Sequence, residues 1–289
     1  MRLLVVLLLA LLPLPAVALE VLASIRPLAQ IARAVTGTDD NVRQLVPAGA
    51  SSHHYQLRPS DRLALARAEL VLWVGPAHER FLTGALAGQP RLLTAQSLPG
   101  IRLVPQRRPD GSSAIPGTVD AHVWVDPDNA AVIARALAEA LAAREPAKAG
   151  TYRRNAEAFA GRLARFKAQQ AARFRPLPAR TYVAYHDAYQ YLEPLLLLQY
   201  RGSLMASPES KPGARHFLLM AQRIERERIG CFIGEPGFDR KLVQQASRGR
   251  AMPMAEVDEL FAAAPLDSEG FEKGLALIAA AVHRCLTAG

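Results

Sequence analysis

Seven histidines are spread along the 289-residue chain, at positions 53, 54, 78, 122, 186, 216 and 283. Their surroundings separate them. His53 and His54 follow a Gly-Ala-Ser-Ser turn, His122 follows Val119-Asp120-Ala121, and His186 comes just after the apolar run 181–185 and precedes Asp187. Each of these stands where an extended run meets a loop, the place at which a parallel sheet presents ligands. His78, His216 and His283 stand at the start of, or inside, helical patterns. Three imidazoles from separate junctions suit a borderline-soft divalent ion, because neutral nitrogen donors favour Zn2+ whereas Ca2+ and Mg2+ prefer oxygen. A fourth donor completes a tetrahedron. Asp258, just after the run 253–257, has the right chemistry and the right kind of location. Taken singly, a strand-end histidine is an ordinary surface or hydrogen-bonding residue. The four positions lie 69, 64 and 72 residues apart, which matches no compact zinc motif such as His-Glu-x-x-His. Only the fold can bring them together.

The elements that must do so alternate. Extended runs are read at 20–25, 41–46, 70–74, 123–125, 181–185, 197–201, 231–234 and 253–257, and helical patterns at 27–36, 61–68, 79–86, 127–144, 188–196, 214–227, 239–248 and 269–286. Strands alternating with helices predict parallel sheets covered on both faces. Residues 148–174 form the longest helical pattern, with Tyr152, Phe159, Leu163 and Phe166 on one stripe. A helix of that length is about 40 Å long at 1.5 Å per residue. The expected architecture is therefore α/β, with two lobes joined by one long rigid helix: residues 19–146 form the first metal-binding lobe, 147–175 the linker helix and 176–289 the second lobe. The segment 105–118 is rich in Pro, Gly, Ser and Arg and reads as a surface loop.

Residues 1–18 combine a basic start, an apolar run from Leu3 to Leu12 and the small-x-small end Ala16-Val17-Ala18. That is the pattern of a cleaved secretory signal peptide, too short to span a bilayer. It predicts export to a periplasm with cleavage after Ala18. The formal charge is +9, falling to +8 once Arg2 is lost. The basic residues are dispersed, with no block of like charge and no aromatic–basic interleaving, so nucleic acid is not an expected partner. Two cysteines, Cys231 and Cys285, are either paired or two buried thiols; an even count in an exported chain favours the disulfide.

Several segments resemble, in order, the zinc-specific periplasmic substrate-binding proteins of metal ABC transporters, the cluster A-I zinc/manganese solute-binding family. They are Gly49-Ala50-Ser51-Ser52-His53-His54-Tyr55-Gln56-Leu57-Arg58-Pro59-Ser60-Asp61, Asp120-Ala121-His122-Val123-Trp124-Val125-Asp126-Pro127, Tyr185-His186-Asp187-Ala188-Tyr189 and Gly234-Glu235-Pro236-Gly237-Phe238. The resemblance implies that His53, His122, His186 and Asp258 bind Zn2+, with His54 a neighbour of the first ligand. Residues Glu259-Leu260 depart from the small and Pro residues usual after the acidic ligand. The segment 105–118 has no His and one acid, Asp110, so a metal-collecting role for it is not implied. Imidazole at position 186 favours zinc, since manganese receptors of this group tend to place a carboxylate there. Asp187 is expected to cap the helix at Ala188 or to orient His186, and Glu193 and Glu235 are expected to be acceptors behind the ligands or members of structural ion pairs, the latter being favoured.

The implied function is reversible zinc binding by a monomeric receptor that delivers the ion to a membrane permease, with no covalent chemistry. The alternatives are a manganese- or iron-binding receptor of the same family and an exported zinc hydrolase using three histidines and Glu235 as base. A metal-free adhesion or interaction module is a further alternative.

Overall fold

The computed structural model describes residues 18–178, 180–206, 210 and 213–288; the expected signal peptide lies, but for Ala18, outside the described residues. Strand β1 (Glu20–Ala23) is followed by α1 (Arg26–Thr36), β2 (Asn41–Gln44), α2 (Pro59–Arg67), β3 (Leu70–Trp73), β4 (Leu92–Thr94) and α3 (Pro127–Ala142). All pairings are parallel and the strand order is β2-β1-β3-β4. β1 and β3 are buried almost throughout, which is why they read as continuous apolar runs rather than alternating ones.

Helix α4 (Ala149–Phe174) leads to the second sheet, built from β5 (Thr181–Ala184), β6 (Gln199–Ser203), β7 (Cys231–Gly234) and β8 (Met254–Glu256) in the order β6-β5-β7-β8, again all parallel. Its helices are α5 (Glu193–Leu196), α6 (Ala214–Arg226), α7 (Arg240–Ala246) and α8 (Gly270–Thr287). The two-lobed α/β expectation thus describes the molecule. Among the described residues, no helix is long and apolar enough to cross a membrane.

Local signals account for the helix starts. Pro127 opens α3 while the Asp126 carboxylate accepts the Asp128 N–H at 2.9 Å. Asp239 accepts the N–H groups of Lys241 and Leu242 to start α7. Such caps satisfy amides that the helix itself leaves unpaired.

Along α4, Tyr152, Ala156, Phe159, Leu163, Phe166 and Phe174 form a buried stripe. That stripe packs on α1 and α3 on the first-lobe side and on α5 and α8 on the second. The Tyr152 hydroxyl donates to Asp40 at 2.7 Å, and Arg162 pairs with Glu272 of α8. One apolar core runs through both lobes, from Val21 and Leu72 past Trp124 and Phe159 to Ile233, Phe271 and Cys285. Cys231 and Cys285 are joined in a disulfide that ties β7 to α8.

Four local expectations are corrected. Val123–Val125 is a fully buried single turn of 3-10 helix rather than a strand. β4 was not legible, being only three residues long. Residues 79–86 and 188–196 form turns and short helical pieces instead of full helices. The segment 105–118 is no simple surface loop: the Arg107 guanidinium reaches the second lobe, pairing with Asp187 at 2.6 Å and Glu193 at 2.7 Å and lying 3.9 Å over the Tyr200 ring. The Ser203 N–H donates to the Pro109 carbonyl at 2.7 Å, extending this strap onto β6.

Candidate metal centre

The carboxyl ends of both sheets face one seam, and the histidines gather there. His53 rides on the long connection between β2 and α2. The N–H groups of His53 and His54 both donate to Ser51 Oγ at 3.3 Å. Just beyond, the Tyr55 hydroxyl and the Arg58 N–H share Asp61 Oδ2 at 2.9 and 2.8 Å, which fixes this connection against the start of α2. His122 ends the segment after β4, and the turn Val123–Val125 holds it against the core. His186 stands two residues past the end of β5.

His122, His186 and His53 converge. Their ring centroids are 5.4 Å apart for His122–His186, 5.6 Å for His53–His122 and 6.2 Å for His53–His186. The two Nε2 atoms of His122 and His186 lie 3.5 Å apart. Behind each ring stands a carboxylate: Asp120 Oδ1 is 2.8 Å from His122 Nδ1, and Glu235 Oε1 contacts His186 Nδ1. A carboxylate on one nitrogen fixes the tautomer and turns the other nitrogen inward, as in metal-bound imidazoles. His54 stands aside, its ring 6.4 Å from that of His53.

Asp258 sits at the rim. Its two oxygens accept the N–H groups of Leu260 and Ala262, at 2.9 and 2.6 Å. It lines a cavity of about 320 Å3 together with His53, Glu235 and Glu259. A second cavity, about 260 Å3, is lined by His53, His122, His186, Asp120 and Arg107. His53 therefore stands between two approaches to the cluster.

Sequence reasoning set aside His78 and Glu235 and overlooked Asp120 and Glu259. His78 closes on the cluster, 4.3 Å from the His53 ring and 5.7 Å from that of His122. It follows the turn after β3, where Gly75 has φ +139° and a Cβ would collide with the Gln96 side chain. The strand-end rule that selected the other three histidines applies to His78 too; its position before a helical pattern hid it. Asp120, two residues before His122, could have been noticed as an acid beside an imidazole. Glu235, expected to be structural, touches His186, and Glu259 is buried nearby with its carbonyl accepting from Trp124 Nε1 at 2.8 Å. Asp187 orients neither His186 nor a helix; it binds Arg107 through both oxygens. Glu193 is structural, joined to Arg107 and Tyr182.

Electrostatics divides the cluster. Burial, and then the neighbouring imidazoles His122, His186 and His54, push the His53 pKa down to about 3. Burial and the same crowding hold His78 well below the usual histidine range. For His186, burial acts downward, but the Glu235 carboxylate outweighs it and the net shift is upward. Burial and the charge of Glu235 push the Glu259 carboxyl up to about 7, against the pull of His186 and His122. An incoming dication meets neutral nitrogen on one side and titratable acid–imidazole pairs on the other.

Comparison with known proteins agrees with this chemistry. Residues 21–274 match the family described as zinc-uptake complex component A, periplasmic. The high-affinity zinc uptake system protein ZnuA of Haemophilus ducreyi is 31% identical, over 93% of each chain. Its counterpart in Brucella abortus is 27% identical over 83% of each. Among solved structures, a ZnuA crystal structure aligns with TM-score 0.77 and 21% identity, covering 93% of this chain and 98% of its own. The laminin-binding adhesin Lmb of Streptococcus agalactiae aligns with TM-score 0.80 and 20% identity, over 93% of this chain and 100% of its own. At such identities the two structures speak for the fold, while the family match spans most of the sequence. The chain belongs to the periplasmic zinc-uptake component A family, ZnuA.

Proposed function

We propose that the protein is an exported, monomeric receptor that binds Zn2+ reversibly and passes it to the permease of an ABC importer, without catalysing a reaction. The observation that carries this reading is the 3.5 Å separation of the His122 and His186 Nε2 atoms, which come from different lobes. Two nitrogens each about 2.05 Å from zinc, at a tetrahedral angle, are about 3.3 Å apart. The pair is thus close to the edge length that zinc needs, with Asp120 and Glu235 behind it. His53 is the third ligand and Asp258 the fourth. The Asp258 oxygens can keep their amide donors while a remaining lone pair turns to the ion. The signal peptide 1–18 directs export and is removed; residues 19–146 and 176–289 are the two lobes, with 147–175 between them.

The seam between the lobes is fastened. Trp124 Nε1 donates to the Glu259 carbonyl, the Tyr191 hydroxyl to the Asp120 carbonyl at 2.8 Å, and Arg26 to the Ala264 carbonyl at 2.7 Å. With α4 and the Arg107 strap, these bonds favour release by local withdrawal of His186 or of the 258–262 loop over wide opening. Metal analysis with X-ray absorption on the mature protein tests the reading. One zinc per chain, bound by three imidazoles and one carboxylate, is expected. A bound water with no carboxylate would point to the hydrolase instead, and unchanged zinc affinity in His122→Ala would defeat the site.

A further inference from the structure

His78 has no part in that reading, yet it is buried at 3% exposure within the cluster. Its Nε2 lies 3.0 Å from Ser52 Oγ, while its Nδ1 is buried without a hydrogen-bond partner among the described residues. Its ring packs edge-on against Trp124, centroids 4.7 Å apart, and against His53. One donor atom each from His53, His78 and His122 lie within 4.8 Å of one another.

Packing alone does not account for this. Buried polar atoms are paired with few exceptions, and an orphaned one costs free energy. His122 and His186 divide their nitrogens between a holder and the interior of the site; His78 has Ser52 as holder on Nε2 and leaves Nδ1 unpaired among the described residues. His53 Nε2 is likewise buried without a partner among the described residues. Orphaned nitrogens on two adjacent rings mark a place where something else supplies the missing bond, and a cation is what two imidazole lone pairs bind in common.

The three residues share one origin. His53 follows β2, His78 follows β3 and His122 lies beyond β4, so all belong to the first lobe. We infer that His78 is a zinc ligand, and that the first lobe alone forms a three-imidazole capture site overlapping the interlobe site at His53 and His122. An arriving ion binds His53, His78 and His122. It then exchanges His78 for His186 and Asp258 while His53 and His122 stay bound. In the reverse direction, His78 receives the ion when the second-lobe ligands withdraw. Only coordination bonds change, and two are kept throughout.

This inference rests on the zinc-receptor reading, and the test keeps the two apart. Zinc affinity is measured by chelator competition on three proteins: unsubstituted, His186→Ala, and His186→Ala with His78→Gln. Glutamine preserves a donor toward Ser52. The His186→Ala protein is expected to keep one zinc per chain, and the added His78→Gln to lower affinity by a further factor of at least about 10–100, the loss that even an indirect metal contact brings. Equal affinity of the last two proteins overturns the inference and leaves the receptor standing; an unsubstituted protein that binds no zinc overturns both. A second readout comes from the His186→Ala protein labelled with 15N-histidine, in which the ion cannot pass on to the second-lobe imidazole and whose amide spectrum shows that it is folded. Zinc added below one equivalent is expected to move the His78 Nδ1 resonance together with those of His53 and His122, and a His78 Nδ1 resonance that stays in place overturns the assignment.

Discussion

The two lobes repeat one topology and carry opposite chemistry. Both sheets are parallel with corresponding strand orders, β2-β1-β3-β4 and β6-β5-β7-β8. The loop after β3 brings His78 to the seam, and the loop after β7, its topological counterpart, brings Glu235. The first lobe contributes three crowded imidazoles, of which His53 and His78 are held neutral by burial. The second contributes one imidazole, raised in proton affinity by Glu235, and the acids Asp258 and Glu259. His53 and His78 offer neutral nitrogen well below the usual histidine range, while His186 and Glu259 hold their protons more strongly than usual. A strand order fixes where ligands emerge, and loop composition decides what they are.

The lobes also differ in what holds them, and the largest effect is expected there. The disulfide closes a loop with a sequence separation of 54. Replacing Cys231 and Cys285 by Ala should lower unfolding free energy by about 4 kcal/mol on the chain-entropy account. Denaturant titration checks this, and an unshifted midpoint would mean the second lobe needs no covalent tie.

At the seam, removing a shared first-lobe donor should matter more than disturbing a second-lobe support. His122→Ala is expected to lower zinc affinity by more than about 100-fold, beyond the usual range for residues behind the ligands. Calorimetry with a competing chelator reads it. Glu235→Gln should cost about 10-fold, because His186 keeps its nitrogen and an acceptor but loses the carboxylate charge behind its ring. A loss at Glu235 equal to that at His122 would erase the contrast between the lobes.

The smallest effect is on stability against pH. In the unfolded chain His53 takes a proton near 6.5, and in the fold only near about 3. Between those values the unfolded state binds more protons, so stability of the metal-free protein falls as pH falls through that window. Glu259 works in the other sense: its folded pKa of about 7 exceeds the usual 4.5, so its share is full below 4.5 and lost as pH rises through 7. Thermal melts of metal-free His53→Gln should show a flatter acid limb than the unsubstituted protein. An identical limb would remove His53 from the account.

The long-range plan of the molecule was legible because it rests on periodicity. Buried parallel strands give unbroken apolar runs, and the stripe Tyr152, Phe159, Leu163 and Phe166 marks the connecting helix. His53, His122 and His186 were legible because strand ends are where such sheets expose ligands. Val123-Trp124-Val125 misled because β-branched and aromatic residues favour strands, yet burial under α3 can equally be satisfied by one tight turn. Arg107 was invisible for another reason: its partners Asp187 and Glu193 are 80 and 86 residues away, and an ion pair leaves no periodic trace. Nothing in the sequence marks that both oxygens of Asp258 are engaged, since the Leu260 and Ala262 amides reach them only once that loop has folded.

The unbroken core has a thermodynamic consequence. Because α4 packs on α1 and α3 with one part of its stripe and on α5 and α8 with the rest, neither half can melt without baring apolar surface on the other. The described residues should therefore denature in a single all-or-none transition rather than in two steps. On the proposed function, zinc held at the seam is then expected to raise the melting temperature of the entire fold, by an amount set by free zinc relative to its dissociation constant.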